Sequence, residues 1–344
     1  FTTEEEVGLN GAKALDKSVL KARTMINMDS EDEGVATVSC AGGLRVQFTK
    51  EIQRTTVQGS LLTLKVEGLL GGHSGQDIDK ERQNADLLMA RMIQRLLKET
   101  KGQLVSFNGG TKDNAIPREC EASLIYESDE EAAKAEELAC ELAETYAEEL
   151  TPAEPDFSCE ISCETNRTAE AIPQDAAKEF ICAMRLAPNG IQKRNIKMDG
   201  FVVVSLNLGV VRTEEDRIVM IFSPRSSVAS LQEDTKERLN TLAETFGFTV
   251  SHSSEYPGWS FKEDSPVREI CKESYKELFG EDLKIEAIHA GLECGLFSDA
   301  IKGLDAIAIG PTIANCHTPD EYLTLDSFER FYEFLKDILS RLAK

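Results

Sequence analysis

Apolar positions along this chain recur with two different periods, and the alternation between the periods lays out its elements. At spacings of three and four they mark amphipathic helices. In 84–99 the stripe is Leu87, Leu88, Ile93, Leu96 and Leu97. The same period predicts helices over 130–150 (strongly acidic), 175–184, 226–246, 266–279 and 325–342. Short runs rich in β-branched and aromatic residues read as strands at 35–40, 63–66, 104–107, 122–126, 156–163, 202–211, 217–223, 248–251, 284–288 and 306–309. Between about 45 and 255 two passes of helix, strand, strand, helix and strand follow one another, which predicts a duplicated α+β module. Residues 1–44 and 256–344 have a different texture. They are predicted to form one α/β domain that the 45–255 module interrupts.

Charge narrows the partners. The 344 residues carry 61 acidic against 38 basic side chains, a formal net charge of −23. Nucleic acid and anionic membrane both require basic surface, so neither is expected. No apolar run approaches the roughly 20 residues of a membrane helix, and no basic-then-apolar leader is visible. Nine cysteines occur with no CxxC pair. That number and spacing predict reduced thiols in a cytoplasmic protein rather than a disulfide framework or a thiolate zinc site.

Three places carry candidate chemistry. Glu4, Glu5 and Glu6 are consecutive, and such a cluster becomes favourable beside a bound cation. A second acidic turn, Asp29-Ser-Glu-Asp-Glu, follows an apolar strand. Loop histidines form the third group. His73 stands between glycines in Gly71-Gly-His-Ser-Gly75, either a surface residue or one that a ligand approaches closely. His317 follows a strand that stops at Gly310-Pro311, either capping the next helix or ligating a metal. Together the acidic clusters and His317 make the carboxylate and imidazole set of a hydrolytic zinc site. His252 reads as incidental. A cluster of this kind at residue 4 leads us to expect a chain that begins within its own site.

The ordered set of motifs resembles peptidase family M20, the dizinc exopeptidases that include carnosinases and aminoacylases, and within it the aminoacyl-histidine dipeptidase branch. The segments are Thr3-Glu-Glu-Glu-Val-Gly-Leu-Asn-Gly-Ala12, Ile26-Asn-Met-Asp-Ser-Glu31, Gly71-Gly-His-Ser-Gly75, Asn114-Ala-Ile-Pro-Arg-Glu119, His289-Ala-Gly-Leu-Glu-Cys-Gly295, and Gly310-Pro-Thr-Ile313 with His317-Thr-Pro-Asp-Glu321. The resemblance implies a zinc-exopeptidase-like α/β catalytic domain, incomplete here, from 1–44 and 256–344. Residues 45–255 would be an inserted α+β lid and dimerisation domain, a duplicated ferredoxin-like module.

It further implies Glu5 as general acid and base, and Glu6, Asp29 and His317 as metal ligands. His73, Asn114 and Arg225 would be lid residues that hold or polarise substrate, and His289 and Glu293 would face its amino end. The cofactors implied are two divalent metals, zinc before manganese or cobalt. The partners implied are a dipeptide of the Xaa-His type and a second copy of the chain, whose His73 crosses between subunits. Relatives have an upstream His-x-Asp segment and a bridging aspartate, which this chain does not contain. The 344 residues are therefore expected to be a C-terminal portion that is inactive alone. Two other readings stay open at this point: an aminoacylase or deacylase of the same family, and a non-catalytic oligomerisation remnant.

Overall fold

Helices and strands alternate through the residues that the computed structural model describes, which are 2–4, 9–196, 200–316 and 319–343. Glu5, Glu6 and His317 lie outside them. In chain order the elements are α1 (Asn10–Ala14), β1 (Thr24–Asn27), β2 (Val35–Cys40), β3 (Gly42–Glu51), β4 (Thr55–Glu67), β5 (Gly72–His73), α2 (Ala85–Glu99), β6 (Gln103–Gly109), β7 (Ala115–Ile116), β8 (Cys120–Tyr126), α3 (Asp129–Leu150) and β9 (Ser158–Ala171). There follow α4 (Gln174–Leu186), β10 (Gly190–Asn195), β11 (Phe201–Thr213), β12 (Arg217–Ser226), α5 (Ala229–Thr245), β13 (Thr249–Tyr256), α6 (Pro266–Phe279), β14 (Lys284–Ile288), α7 (Glu293–Ala300), β15 (Asp305–Ala308), β16 (Ile313–Ala314), β17 (Tyr322–Leu323) and α8 (Leu325–Leu342). Two compact units result. The first comprises Phe1–Gly43, Ser226–Ala229 and Tyr256–Lys344; the second comprises Leu44–Arg225 and Ser230–Glu255. The short Ser226–Ala229 piece therefore joins the first unit, although the sequence reading placed it in the 45–255 insert.

The first unit has a four-stranded sheet in the order β1-β15-β2-β14. β1 runs parallel to β15 and β14 parallel to β2, while β2 and β15 are antiparallel. Ala12, Cys40, Trp259, Cys294, Phe297, Ala306 and Ala308 form one core cluster. Elsewhere in this unit α6 and α8 meet through Tyr275, Phe279 and Phe334. The Tyr275 ring lies 4.8 Å from Phe279 and 5.2 Å from Phe334, in the tilted and edge-on geometries that aromatic quadrupoles favour.

The second unit is built on a nine-stranded sheet in the order β13-β3-β12-β11-β6-β8-β4-β9, with β10 added on β11. Its two sets of four strands share one order. Taken along the chain, β4, β6, β8 and β9 are arranged second, third, first, fourth from the β11 side. Then β3, β11, β12 and β13 show the same arrangement read outward to β13. The first set, with α2 and α3, is inserted between β3 and α4 of the second. The passes are thus nested rather than consecutive. β3 went unread in the sequence although Leu44, Val46 and Phe48 alternate and are fully or nearly buried.

The core of this unit joins the sheet to α2, α3, α4 and α5 through Leu62, Leu64, Met89, Met92, Ile93, Phe107, Phe180 and Phe222. The inward stripe of α2 is Ala85, Leu88, Met89, Met92, Ile93 and Leu96, with Leu87 and Leu97 only partly buried. Asn84 caps this helix, accepting from the amides of Asp86 and Leu87.

One core position is a carboxylic acid. Asp86, on α2, is fully buried, and neither of its oxygens has a partner of normal hydrogen-bond geometry among the described residues. A Cβ on Gly109 would lie 1.6 Å from its Oδ1, so glycine is needed opposite it. Burial pushes the Asp86 carboxyl up to about 8, with the Cys120 thiol and the Arg212 guanidinium limiting the rise. The folded chain therefore keeps this proton while the unfolded chain loses it above its ordinary value of 3.8. The contribution to stability is complete below pH 3.8 and is lost as pH rises toward about 8. Asp86→Asn removes the ionisation. It should raise stability relative to the wild type by several kcal/mol more at pH 8 than at pH 4, at about 1.4 kcal/mol per pKa unit. Denaturant unfolding of both proteins at the two pH values checks this; an equal difference at both would contradict it.

Among the described residues no helix is long and apolar enough to cross a membrane, and all nine cysteines are free thiols.

Candidate active site

In the first unit the chemistry gathers where β1 and β15 end side by side. Asn27, the last residue of β1, is buried and accepts the amide of Asp29 on its Oδ1 at 2.8 Å. It also accepts the amide of Ile309 on its backbone oxygen at 3.0 Å. A buried asparagine at the strand end thus fixes the turn in which Asp29 stands, and the Asp29 and Glu31 side chains are left exposed. The segment after β15 lies directly on that turn. A Cβ on Gly310 would come within 1.7 Å of the Ser30 carbonyl oxygen, and the Ile313 amide donates to the Glu31 carbonyl at 2.9 Å.

The Cys316 thiol contacts the Glu31 carboxylate, and burial together with that negative charge pushes the thiol up to about 11. Asn315 beside it holds a left-handed φ of 57°, a conformation that costs energy and that clusters at sites over-determined by their surroundings. Asp29 and residue 316 are hence on adjoining loops, although 316 − 29 = 287 positions separate them in sequence. His317 is the next residue.

A second group of predicted residues follows β14. His289 and Glu293 are both 7% exposed. The Ala41 amide donates to the carbonyls of Ile288 and Ala290 at 3.2 and 3.1 Å, clamping this segment to the end of β2. Glu293 opens α7, where the helix dipole favours a carboxylate. Its Oε1 has no hydrogen-bond partner among the described residues. Burial, with the charges of Cys40, Glu293 and Asp29, drives the Cys294 thiol far upward. That thiol is therefore a buried hydrophobe and not a nucleophile.

The N-terminal segment is tied to α1. Thr3 and Glu4 accept the amides of Gly11 and Asn10 on their backbone oxygens, at 2.9 and 3.1 Å. The Glu4 Oε2 accepts from Asn10 Nδ2 at 3.1 Å, and Glu4 has a left-handed φ of 54°. Glu4 is thereby committed to the start of α1. Of the three consecutive glutamates it is the one the structure describes, and its contacts are structural.

In the second unit three predicted residues converge. β5 pairs with β7, setting His73 opposite Ala115, and the Ser74 amide donates to the Asn114 carbonyl at 2.8 Å. The Asn114 side chain is exposed while Arg225 is 7% exposed. The His73 ring is held by its own loop: the amides of Gly75 and Gln76 both donate to Nδ1, at 3.2 and 3.1 Å. A ring nitrogen that accepts carries no proton, so the ring is neutral and Nε2 bears the hydrogen. Burial and the nearby Arg225 charge lower the His73 pKa and keep it in that form.

Sequence reasoning missed the residues behind this loop. Asp77 Oδ2 accepts the His73 amide at 2.8 Å. Glu154, 2% exposed, accepts the amides of Leu70 and Gln83 at 2.7 and 2.9 Å and so closes the loop at both ends. Arg82 donates to the Gly71 carbonyl. A Cβ on Gly72 would lie 2.6 Å from both Arg82 Nη1 and Asp77 Oδ2, which gives that glycine its reason. The signal that could have found Asp77 is an acid four residues after a histidine flanked by glycines, the spacing of a side chain that folds back on a turn. His252 lies exposed on β13 within 3.0 Å of Asn240 Oδ1, outside this group.

Three similarities bear on these groups. A family model, that of peptidase family M20/M25/M40, matches residues 1–341. The cytosol non-specific dipeptidase of Escherichia coli (strain K12) is 33% identical over an alignment of 348 residues that covers 99% of this chain and 70% of that protein. The crystal structure of aminoacylhistidine dipeptidase from Vibrio alginolyticus matches with a TM-score of 0.94 at 34% identity, over 99% of this chain and 69% of that one.

Proposed function

The chain belongs to peptidase family M20/M25/M40, and on that footing we propose that it serves the hydrolysis of Xaa-His dipeptides at a centre of two divalent metals, zinc before manganese or cobalt. The observation that carries this reading is the seating of the Gly310–Cys316 loop on the Asp29 turn, which brings an exposed aspartate beside the segment leading to His317. Both similar dipeptidases, by their names, act on dipeptides.

The donors fit zinc in kind, being carboxylates and an imidazole. Glu6 and His317 would share one metal and Asp29 would hold the other. Among the described residues there is no group of three or more histidine, cysteine, aspartate or glutamate side chains able to hold a metal; Glu6 and His317 lie outside those residues. Bound metals would supply an acidified water and a polarised carbonyl. Glu5 takes the proton of the attacking water and returns it to the leaving amine, a task that requires a carboxylate outside the metal shell. Glu293 accepts the substrate ammonium on its unpartnered Oε1. Arg225 offers its fork to the terminal carboxylate, and Asn114 and His289 flank the substrate. The neutral His73 of a partner copy donates its Nε2–H to the oxygen on which charge develops. The nested strand sets of the second unit are read as a duplicated ferredoxin-like lid through which two copies pair. The setting is cytoplasmic, with all thiols reduced.

Glu6, Asp29 and His317 are few ligands for two zinc ions. The protein supplied with zinc should hydrolyse carnosine and other Xaa-His dipeptides, and stripping divalent metal should abolish the rate. Rates measured with added zinc or manganese decide the matter. A rate that survives complete removal of divalent metal would overturn the metal centre. A protein that cleaves N-acetyl amino acids in preference to dipeptides would overturn the substrate class.

A further inference from the structure

We propose that Asp77 is the positioning residue that fixes the His73 ring as an Nε2–H donor; the inference rests on the role given above to His73. The two residues close a reciprocal pair. Asp77 Oδ2 accepts the His73 amide at 2.8 Å, and the Asp77 amide donates to the His73 carbonyl at 2.9 Å. This pair bends residues 73–77 into a closed turn, and only in that turn do the amides of Gly75 and Gln76 point together at Nδ1. Two converging donors leave no room for a proton on Nδ1, so the turn selects one tautomer.

Asp77 is itself held in place. Lys80 Nζ donates to its Oδ1 at 2.5 Å, and Arg82 Nη1 lies 4.0 Å from the same oxygen. Arg82 also donates to the carbonyl of Gly71, the residue just before β5. Gly72 cannot carry a side chain because the Asp77 and Arg82 side chains occupy that space.

The arrangement works through geometry and against charge. The negative charge of Asp77 by itself would favour a protonated imidazole. What keeps the ring neutral is burial, Arg225 and the two backbone amides that the turn directs. This distinction gives the test. Asparagine at 77 keeps an acceptor oxygen at the same distance and loses the charge. Glutamate keeps the charge and moves the acceptor by one methylene. Alanine loses both.

Long-range ¹H–¹⁵N spectra of the histidine rings report tautomers directly, and with four histidines in the chain a His73→Asn variant assigns the signal. In the 344-residue chain at neutral pH, wild type and Asp77→Asn should both show His73 protonated on Nε2 alone. Asp77→Glu and Asp77→Ala should show exchange between tautomers. Wild-type tautomers in folded Asp77→Glu and Asp77→Ala would overturn the proposal, as would a shifted Asp77→Asn beside an unchanged Asp77→Glu. The glutamate variant decides the question if the alanine variant does not fold. In the natural gene product, Asp77→Glu should lower kcat about 10- to 100-fold with little change in KM. A changed tautomer with unchanged kcat would refute the role given to His73 and leave the positioning by Asp77 standing.

Discussion

Glu5→Gln in the natural gene product should lose dipeptide turnover by about 10²- to 10⁴-fold, the span that a positioned general base contributes. The amide is the same size as the carboxylate and cannot take a proton from water. The proposed division of labour leaves Glu6 to ligate metal while Glu5 takes the proton of the water. Glu4 does not compensate, because its side chain and backbone are committed to Asn10 at the start of α1. Steady-state rates of the variant and the wild type check the expectation. A variant with more than a tenth of the wild-type rate would remove Glu5 from the mechanism.

Gly310→Ala should be nearly as damaging, for a steric reason. The new Cβ would sit 1.7 Å from the Ser30 carbonyl oxygen and 2.7 Å from its carbon. Both are backbone atoms, and the Ser30 backbone is part of the turn that Asn27 anchors through the Asp29 amide. The clash can be relieved only by parting the loop of Asp29 from the loop leading to His317. We expect a loss of about 3 kcal/mol of stability, together with loss of dipeptidase activity. Gly303→Ala is the control. Gly303 has a left-handed φ of 79° and open space around its Cβ position, so alanine there costs only backbone strain, about 1 kcal/mol. Thermal unfolding of the two variants separates the cases, and equal losses would show that loop contact has no special weight at Gly310.

Much of the architecture is written in local periodicity. The spans 266–279 and 325–342 correspond to α6 and α8 (Pro266–Phe279 and Leu325–Leu342), because an apolar stripe is a local signal in both and α6 has besides a proline start and a glycine stop. β4 shows where local signals fail. Only 63–66 reads as strand, yet β4 spans Thr55–Glu67. Gly59 interrupts its pattern with a register shift against β9, where a Cβ would strike the Tyr126 carbonyl. The nested strand order was beyond reach for a different reason. That β3 belongs with β12 and β13 is decided by pairing across more than 150 residues, and no residue in β3 encodes its partner.

The site divides in the same way. Residues proposed to meet substrate or metal through side chains, such as Asp29, His73 and His317, stand in recognisable motifs. Asp77, Arg82 and Glu154 act on backbone amides and carbonyls. For Arg82 and Glu154 such contacts leave no pattern in the sequence, because any turn that closes can supply them; only Asp77 is marked, by its place four residues after His73. The burial of His289 and Glu293 was likewise invisible, since a Gly-rich loop reads as exposed until β2 and β14 are seen to clamp it.

Zinc content per chain tests the account most directly. It is to be measured after dialysis in the natural gene product, in Asp29→Ala and in Glu5→Gln. Glu5→Gln should retain the wild-type amount while losing turnover, and Asp29→Ala should lose one of two metals. Full zinc content in Asp29→Ala, or loss of zinc in Glu5→Gln, would contradict the division of the carboxylates into metal ligand and proton carrier.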